Sequence, residues 1–197
     1  MLPPAPAPDH SAAFDFLARR MSYSAKLLTA PVPDRPELTA ILTAALRVPD
    51  HGKLEPWRLL VLERGAMARL ADLAEARARE LGADPVLLDK ARGQFDRSPL
   101  AVVVIASPKA SDKVPQIEQI LSSGALCLGV VNAALAAGWG AAWISGWIAH
   151  DHSFAERAFA CSAQEFVAGI IHIGTRTVPF GDRPRPDPAR VIGWVCE

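Results

Sequence analysis

The stretch LAVVVIA, Leu100 to Ala106, is seven apolar residues in succession with three valines at its centre. A run of that length with neither alternation nor charge reads as a strand buried on both faces, inside a sheet that helices cover above and below. Working upstream, Trp57 to Leu62 reads as a second short strand. Two charged amphipathic helices, near Ala66 to Leu81 and Pro85 to Gln94, fill the interval. Downstream, a long helix from Ile117 to Ala137 leads to a strand from Ala141 to Ile144. A short helix from Asp151 to Ala160 and a buried strand from Phe166 to Ile173 follow, with Gly174 as the strand's end. The irregular alternation of helices and strands departs from a βαβ series. It predicts an α+β chain with a central mixed sheet sandwiched by helices.

The ends of the chain read differently. Residues 1–10, MLPPAPAPDH, are expected to be a disordered Pro/Ala arm, and they lack the basic and apolar regions of a secretory signal. Residues 11–197 are expected to form one domain. It opens with a helix from Ser11 to Arg20 that places Phe14, Leu17 and Ala18 on one face. An extended stretch, Met21 to Pro33, leads to a second helix. Asp34 is its expected N-cap, with Pro36 and Glu37 in the first turn; it carries Leu38, Ile41, Leu42 and Leu46 at helical spacing and stops at Pro49. Residues 175–190 are rich in Pro and Arg and read as an extended C-terminal arm, followed by a terminal strand from Val191 to Val195.

With 21 basic and 21 acidic side chains the formal charge is zero, which argues against a nucleic-acid face or a charged membrane patch. A neutral chain that is half hydrophobic tends to associate, so an obligate homodimer is expected. Three widely spaced cysteines (Cys127, Cys161 and Cys196) with no C-x-x-C favour a reduced, cytoplasmic setting. Gly124 to Ala149 carries no charge and is long enough to cross a membrane. It is mostly Ala and Gly, and Gly138-Trp139-Gly140 divides it, so a buried helix followed by a buried strand explains it better.

Familiar catalytic signatures are missing. Gly138-Trp139-Gly140 follows a helix and has Trp143 where a dinucleotide fingerprint needs its third glycine, no phosphate-loop motif occurs, and Ser145 lacks the glycine pair of a nucleophile elbow. His150 and His152 read as exposed imidazoles beside a helix cap, and His172 as a satisfied core histidine; no metal site is expected. Three stretches are more polar or aromatic than local structure demands. They are Arg19-Arg20-Met21-Ser22, the loop from Arg47 through Pro49-Asp50-His51-Gly52-Lys53-Leu54-Glu55-Pro56-Trp57, and Trp143-Ile144-Ser145-Gly146-Trp147 at a strand end. Rigid charge-dense loops and strand ends are where ligands are met.

In order along the chain, R-x-S at the end of the first helix, A-K-L-L, a Pro-x-Pro step, P-D-H-G-K-L-x-P-W, W-x-S-G after G-W-G, and I-G-T are similar to the nitroreductase family of FMN-dependent oxidoreductases. The resemblance is to its short single-domain NAD(P)H branch and covers about Ser11 to Val195. It implies a nitroreductase-like fold, an intertwined homodimer, and one FMN per subunit at the interface, with NAD(P)H as co-substrate. It implies that Arg20, Met21 and Ser22 line the phosphate–ribityl end of FMN, a fixed cation and a hydroxyl suiting a phosphate. Met21, in place of the family's second Arg, contributes only its backbone. Arg47 and His51 match positions that reach FMN from the other subunit, and Trp143, Ile144 and Ser145 match the segment packed on one face of the isoalloxazine. Arg183 or Arg185 could add a phosphate contact. Lys53, where many relatives have Asn, and Glu55, where Gln is common, depart from the pattern. The implied chemistry is hydride transfer from NAD(P)H through FMN to a small electron-poor acceptor by a ping-pong cycle, with no protein acid or base assigned. An FMN-dependent desaturase or dehalogenase, or a non-catalytic flavin-binding protein, is the alternative.

Overall fold

The computed structural model describes residues 11–178, 181 and 183–196, so the expected arm at 1–10 lies outside the described residues. Helix α1 (Ser11–Arg19) leads through a short helical turn to β1 (Leu28–Thr29) and α2 (Arg35–Ala45). Asp34 caps α2 by accepting the Glu37 N–H at 2.8 Å, and proline in the first turn needs no such partner. Strand β2 (Trp57–Leu62), helices α3 (Arg64–Glu80) and α4 (Pro85–Asp96), and strand β3 (Ala101–Ala106) follow. The long helix α5 (Gln116–Ala136) precedes β4 (Gly140–Ile144), short helix α6 (Trp147–His150), α7 (His152–Phe159), β5 (Phe166–Arg176) and short helix α8 (Pro188–Val191).

Every residue of β3 is buried, as its unbroken apolar run predicts. Ala101, Val103 and Ile105 face a layer built from α3, α4, α6 and α7, where Met67, Leu70, Phe95, Ile148 and Phe154 are packed. Val102 and Val104 face the opposite layer, with Leu38 and Ile41 of α2 and Leu126, Val130 and Val131 of α5. The period of two therefore divides one strand between two cores, and each fully buried valine or isoleucine contributes about 1.5–3 kcal/mol.

The sheet differs from the expected mixed pairing in an instructive way. Strand β5 pairs with β3 on one side and β4 on the other, β2 pairs with β3, and β1 meets the last residues of β5; all these pairings are antiparallel. Strands β3 and β4 do run in the same direction, joined by α5 as a helical crossover requires. Strand β5 inserts between them, so parallel neighbours never touch among the described residues.

Gly174 does not end β5, which continues to Arg176. A Cβ at Gly174 would stand 2.8 Å from the Thr29 carbonyl oxygen, so this glycine admits the β1 backbone and does not stop the strand. Strand β5 thus takes in the first two residues of the arm expected at 175–190, of which residues 179, 180 and 182 lie outside the described residues. The terminal strand expected at Val191 to Val195 is also absent. Asp187 accepts the Ala189 N–H at 3.0 Å and Pro188 starts a helical turn, a capping signal that overrides the apolar run behind it.

Candidate functional site

Strand β4 is an edge of the sheet, and the first and third candidate stretches flank it. Tyr23 donates its N–H to the Ala141 carbonyl at 2.8 Å, which draws Arg20-Met21-Ser22 to the outer side of β4. The far end of the same strand carries Trp143, Ile144 and Ser145, about 13 Å from Ala141 to Ser145 at 3.3 Å per residue. Arg20 Nη2 donates to Ser22 Oγ at 3.3 Å, whereas Arg20 Nε is buried with no partner among the described residues. A guanidinium N–H deprived of water is costly unless something accepts it, so this atom is a donor open to an acceptor. Arg19, Arg20, Met21, Tyr23, Leu135 and Arg176 line a recess of about 250 Å³ here. The Trp143 indole lies against Gly169, where any Cβ would collide with it, and remains 41 % exposed as an aromatic platform.

A second recess, about 160 Å³, opens on the α4 side of β4 between Lys26, Lys90, Gln94, Arg97, Ser98 and Ile144. Gln94 Nε2 is buried without a partner among the described residues, and its Oε1 lies 3.2 Å from where a Gly146 Cβ would stand. The glycine of W-x-S-G thus makes room for the glutamine. Sequence reasoning singled out neither Gln94 nor Lys90, since nothing local joins them to Ile144, and it quoted Lys26 only as part of A-K-L-L, with no role. The available signal was a glutamine beside the buried line Ala91 and Phe95 of α4.

The charge-dense loop is a strained and well-anchored structure. Gly52, Lys53 and Glu55 have φ of 74°, 51° and 47°, a region that side chains adopt at a cost. Asp50 holds the turn by accepting the Leu54 and Glu55 N–H groups at 3.1 and 2.9 Å. Helix α5 grips both ends of the loop. Ser122 Oγ donates to the Pro49 carbonyl at 2.6 Å and accepts from Trp57 Nε1 at 3.1 Å, and Ser123 Oγ donates to the Pro56 carbonyl at 3.4 Å. His51 Nδ1 meets Glu118 Oε2 at 2.7 Å, which fixes the ring. Arg47 and His51 are both exposed.

Within one chain His51 does not approach Arg20-Met21-Ser22. His51 is tied to Glu118 in the first turn of α5, whereas the arginine recess is lined by Leu135 in its last turn. Those positions are about 25 Å apart at 1.5 Å per residue. Along α5, Ile117, Leu121 and Leu128 project into solvent at 59, 65 and 46 % exposure. This helix is long and apolar enough to cross a membrane, and its other face packs on the sheet through Leu126, Val130 and Ala134.

The remaining titratable features are structural in their surroundings. Asp151 accepts the Phe154 N–H at 2.6 Å as the cap of α7 and pairs with Arg77 at 3.0 Å, which holds its carboxyl below the usual range; His150 and His152 on either side are exposed. His172 is in the core as expected but is not satisfied: neither ring nitrogen has a partner among the described residues, and burial pushes its pKa down to about 4.

Residues 17–175 match the model of the nitroreductase family. The protein named "Putative NAD(P)H nitroreductase YdjA" in Escherichia coli (strain K12) is 35 % identical over 172 residues, 87 % of this chain and 93 % of that protein. Among solved structures, a nitroreductase-like family protein from Bacillus cereus has a TM-score of 0.73 at 19 % identity, covering 92 % of this chain and 95 % of its own. The FMN- and NADPH-dependent nitroreductase NfnB from sphigopyxis sp. strain HMH has a TM-score of 0.69 at 20 % identity, with 92 and 98 % covered. The family match over most of the chain and the fold agree, and this chain belongs to the nitroreductase family.

Proposed function

We propose that this chain is an FMN-dependent NAD(P)H oxidoreductase acting on small electron-poor acceptors. The observation that carries the reading is the edge of β4, which has beside one end a buried guanidinium nitrogen and beside the other a buried amide nitrogen, each without a partner among the described residues. A molecule with an anionic tail and a flat, carbonyl-bearing head suits that pair of donors, and FMN, which the similar nitroreductase NfnB depends on, is such a molecule. Bound FMN supplies a centre that takes up a hydride equivalent and gives it up again, so NAD(P)H and the acceptor use one place in turn, a ping-pong cycle.

In this reading Arg20 and Ser22 hold the phosphate–ribityl end and Met21 contributes its backbone. Trp143 offers a flat apolar face, Ile144 and Ser145 offer backbone N–H groups at an open strand end, and Gln94 offers its free amide N–H to a ring carbonyl. Lys26 and Lys90 add positive charge at the mouth of that recess. Arg47 and His51 come from the partner subunit, with Glu118 of their own chain holding the His51 ring. The 25 Å separation along α5 and its bare apolar stripe both support a homodimer with one site at each end of the shared interface. Two buried unpaired cysteines suit a reducing, cytoplasmic compartment.

The test is flavin absorbance in the purified protein, followed by anaerobic addition of NADH or NADPH and then of a quinone or nitroarene. Bleaching and recovery are expected. A bound flavin that neither nucleotide bleaches overturns the reductase reading.

A further inference from the structure

Helix α5 is apolar along most of its length, yet its opening QIEQILSS, Gln116 to Ser123, carries Glu118, Gln119, Ser122 and Ser123. All four hold loops. Ser122 and Ser123 grip Pro49, Trp57 and Pro56 at the ends of the His51 loop. Gln119 is buried and clamps a neighbouring loop, accepting the Lys109 N–H at 2.7 Å and donating to the Lys109 and Val114 carbonyls at 2.9 and 3.3 Å. The two loops meet at Gly52, where a Cβ would stand 3.4 Å from Val114 Cγ2. Glu118 is the member of the four that reaches a titratable side chain, 2.7 Å from His51 Nδ1. Asp50, the carboxylate next to His51 in the chain, is already engaged by the Leu54 and Glu55 N–H groups. A carboxylate oxygen only accepts, so the bond to Glu118 keeps a proton on Nδ1. Nε2 is then the far nitrogen of an exposed ring, without a partner among the described residues.

We propose that His51 and Glu118 form a proton-donating pair, in which His51 Nε2 protonates the electron acceptor and Glu118 is the positioning residue. The proposal rests on the flavin reading, which brings His51 to the partner's flavin, and adds the acid that this reading does not assign. Two-electron reduction of a quinone takes one hydride equivalent and one proton. The hydride equivalent converts the quinone to a hydroquinone monoanion, whose oxyanion takes the proton from the imidazolium. The Nε2–H bond breaks, its electron pair stays on nitrogen, and an O–H bond forms. Glu118 decides which proton leaves, since the one on Nδ1 stays in its hydrogen bond. The neutral ring regains a proton on Nε2 from solvent. Histidine suits the step because its ring changes charge near neutral pH. The anchors at Pro49, Trp57 and Pro56 fix the loop before the acceptor arrives, and a general acid depends on such preset geometry.

The alternative role of Glu118 is to brace the loop, and two measurements separate the roles. In protein with isotope-labelled histidine, the ring-nitrogen resonances of His51, assigned by their loss in His51→Ala, should report the Nδ1–H tautomer of the neutral ring. Glu118→Ala should move it to the Nε2–H tautomer usual for free histidine. In the flavin-loaded protein, stopped flow separates the half-reactions. Glu118→Ala should slow reoxidation by a quinone about tenfold or more. Bleaching by NADH or NADPH should stay within about twofold, as should reoxidation by ferricyanide, which takes electrons and no proton. Glu118→Gln, whose amide oxygen still accepts from Nδ1, should recover part of the quinone rate. Equal slowing of all three steps makes the pair a brace and overturns the proposal, as does an Nε2–H ring in the unmodified chain. If nucleotide bleaches the flavin and Glu118→Ala leaves the quinone rate unchanged, the proposal falls and the flavin reading stands. If the unmodified chain binds no flavin, or neither nucleotide bleaches it, both fall.

Discussion

The two faces of the sheet are finished for different surroundings. On one, α3, α4 and α7 bury Met67, Leu70, Phe95 and Phe154 and lace their outer sides with ion pairs. Arg92 meets Asp72 at 2.7 Å, Glu75 at 2.9 Å and Asp96 at 2.7 Å, and Glu80 accepts from both Arg77 and Arg157. Each such exposed pair adds little stability, about 0–1 kcal/mol, so the lattice serves as a surface made for water. On the other face α5 has no equivalent. Beyond Gln116 and Glu118 in its first turn, its outer stripe is leucine, alanine and glycine, and α1 leaves Phe14 and Leu17 exposed. A single chain thus has one face closed by ion pairs and one that leaves large apolar side chains exposed.

A charge on the bare face is the strongest way to test that contrast. Leu128→Lys should cost the dimer about 3–5 kcal/mol, giving monomers by sedimentation and loss of bound flavin. A monomer that keeps its flavin breaks the comparison. On the closed face one ion pair should behave unlike the lattice around it. Arg58 donates to Glu165 at 2.8 and 3.0 Å, Ser107 donates to the same carboxylate, and the Glu165 side chain is only 15 % exposed. The Arg58 hydrogen bonds chiefly hold the Glu165 carboxyl down to about 2, with burial opposing them. Glu165 binds protons more weakly folded than unfolded, so its contribution is present above the unfolded value near 4.5 and fades as pH falls toward 2. Glu165→Gln should lower urea-derived stability by about 2 kcal/mol at neutral pH and flatten the acid limb below pH 4.5.

His172 tilts stability with pH in the same direction, through a different cause and in a higher window. It lies between Ala101 and Ala142 and stays neutral in the fold because burial pushes its pKa down to about 4. The unfolded chain takes up the proton near 6.5, so stability falls as pH drops from there to about 4. His172→Leu should remove that slope and recover about 2 kcal/mol at pH 4, read by denaturation across that range. The smallest effect belongs to the loop gripped by α5. Lys53 sits at φ 51°, where asparagine is more at ease, and Lys53→Asn should raise stability by about 0.5–1 kcal/mol in thermal melts. No gain would mean that the strain is relieved by a contact from the covering partner.

What the sequence shows best is what neighbouring residues decide together. Trp57 to Leu62 is a strand with the expected ends, the Asp34 cap and its proline start α2 one residue later, and the apolar run at Leu100 to Ala106 makes the shared strand of two cores. Arg20 to Ser22 and Trp143 to Ser145, recognised from ordered motifs, meet at one strand. Long-range agreement was not legible. Gly174 reads as a terminator until β1 is seen lying over it, and Val191 to Val195 reads as a strand until the Asp187-Pro188 cap is weighed. Gln94 and Lys90 come from α4 and Arg176 from β5, elements whose relation to the quoted motifs is only spatial, so no spacing could have joined them.

The length of α5 has a genetic consequence. If His51 at one end serves the partner and the recess at the other end serves its own chain, each site draws on two polypeptides. Homodimers of Arg20→Gln and of His51→Ala then carry two impaired sites apiece. Mixing the two defective chains should place both lesions in one site of each hybrid and leave the other intact. Flavin binding would return to half the sites of that hybrid, a complementation between two damaged copies that a self-contained site could never show.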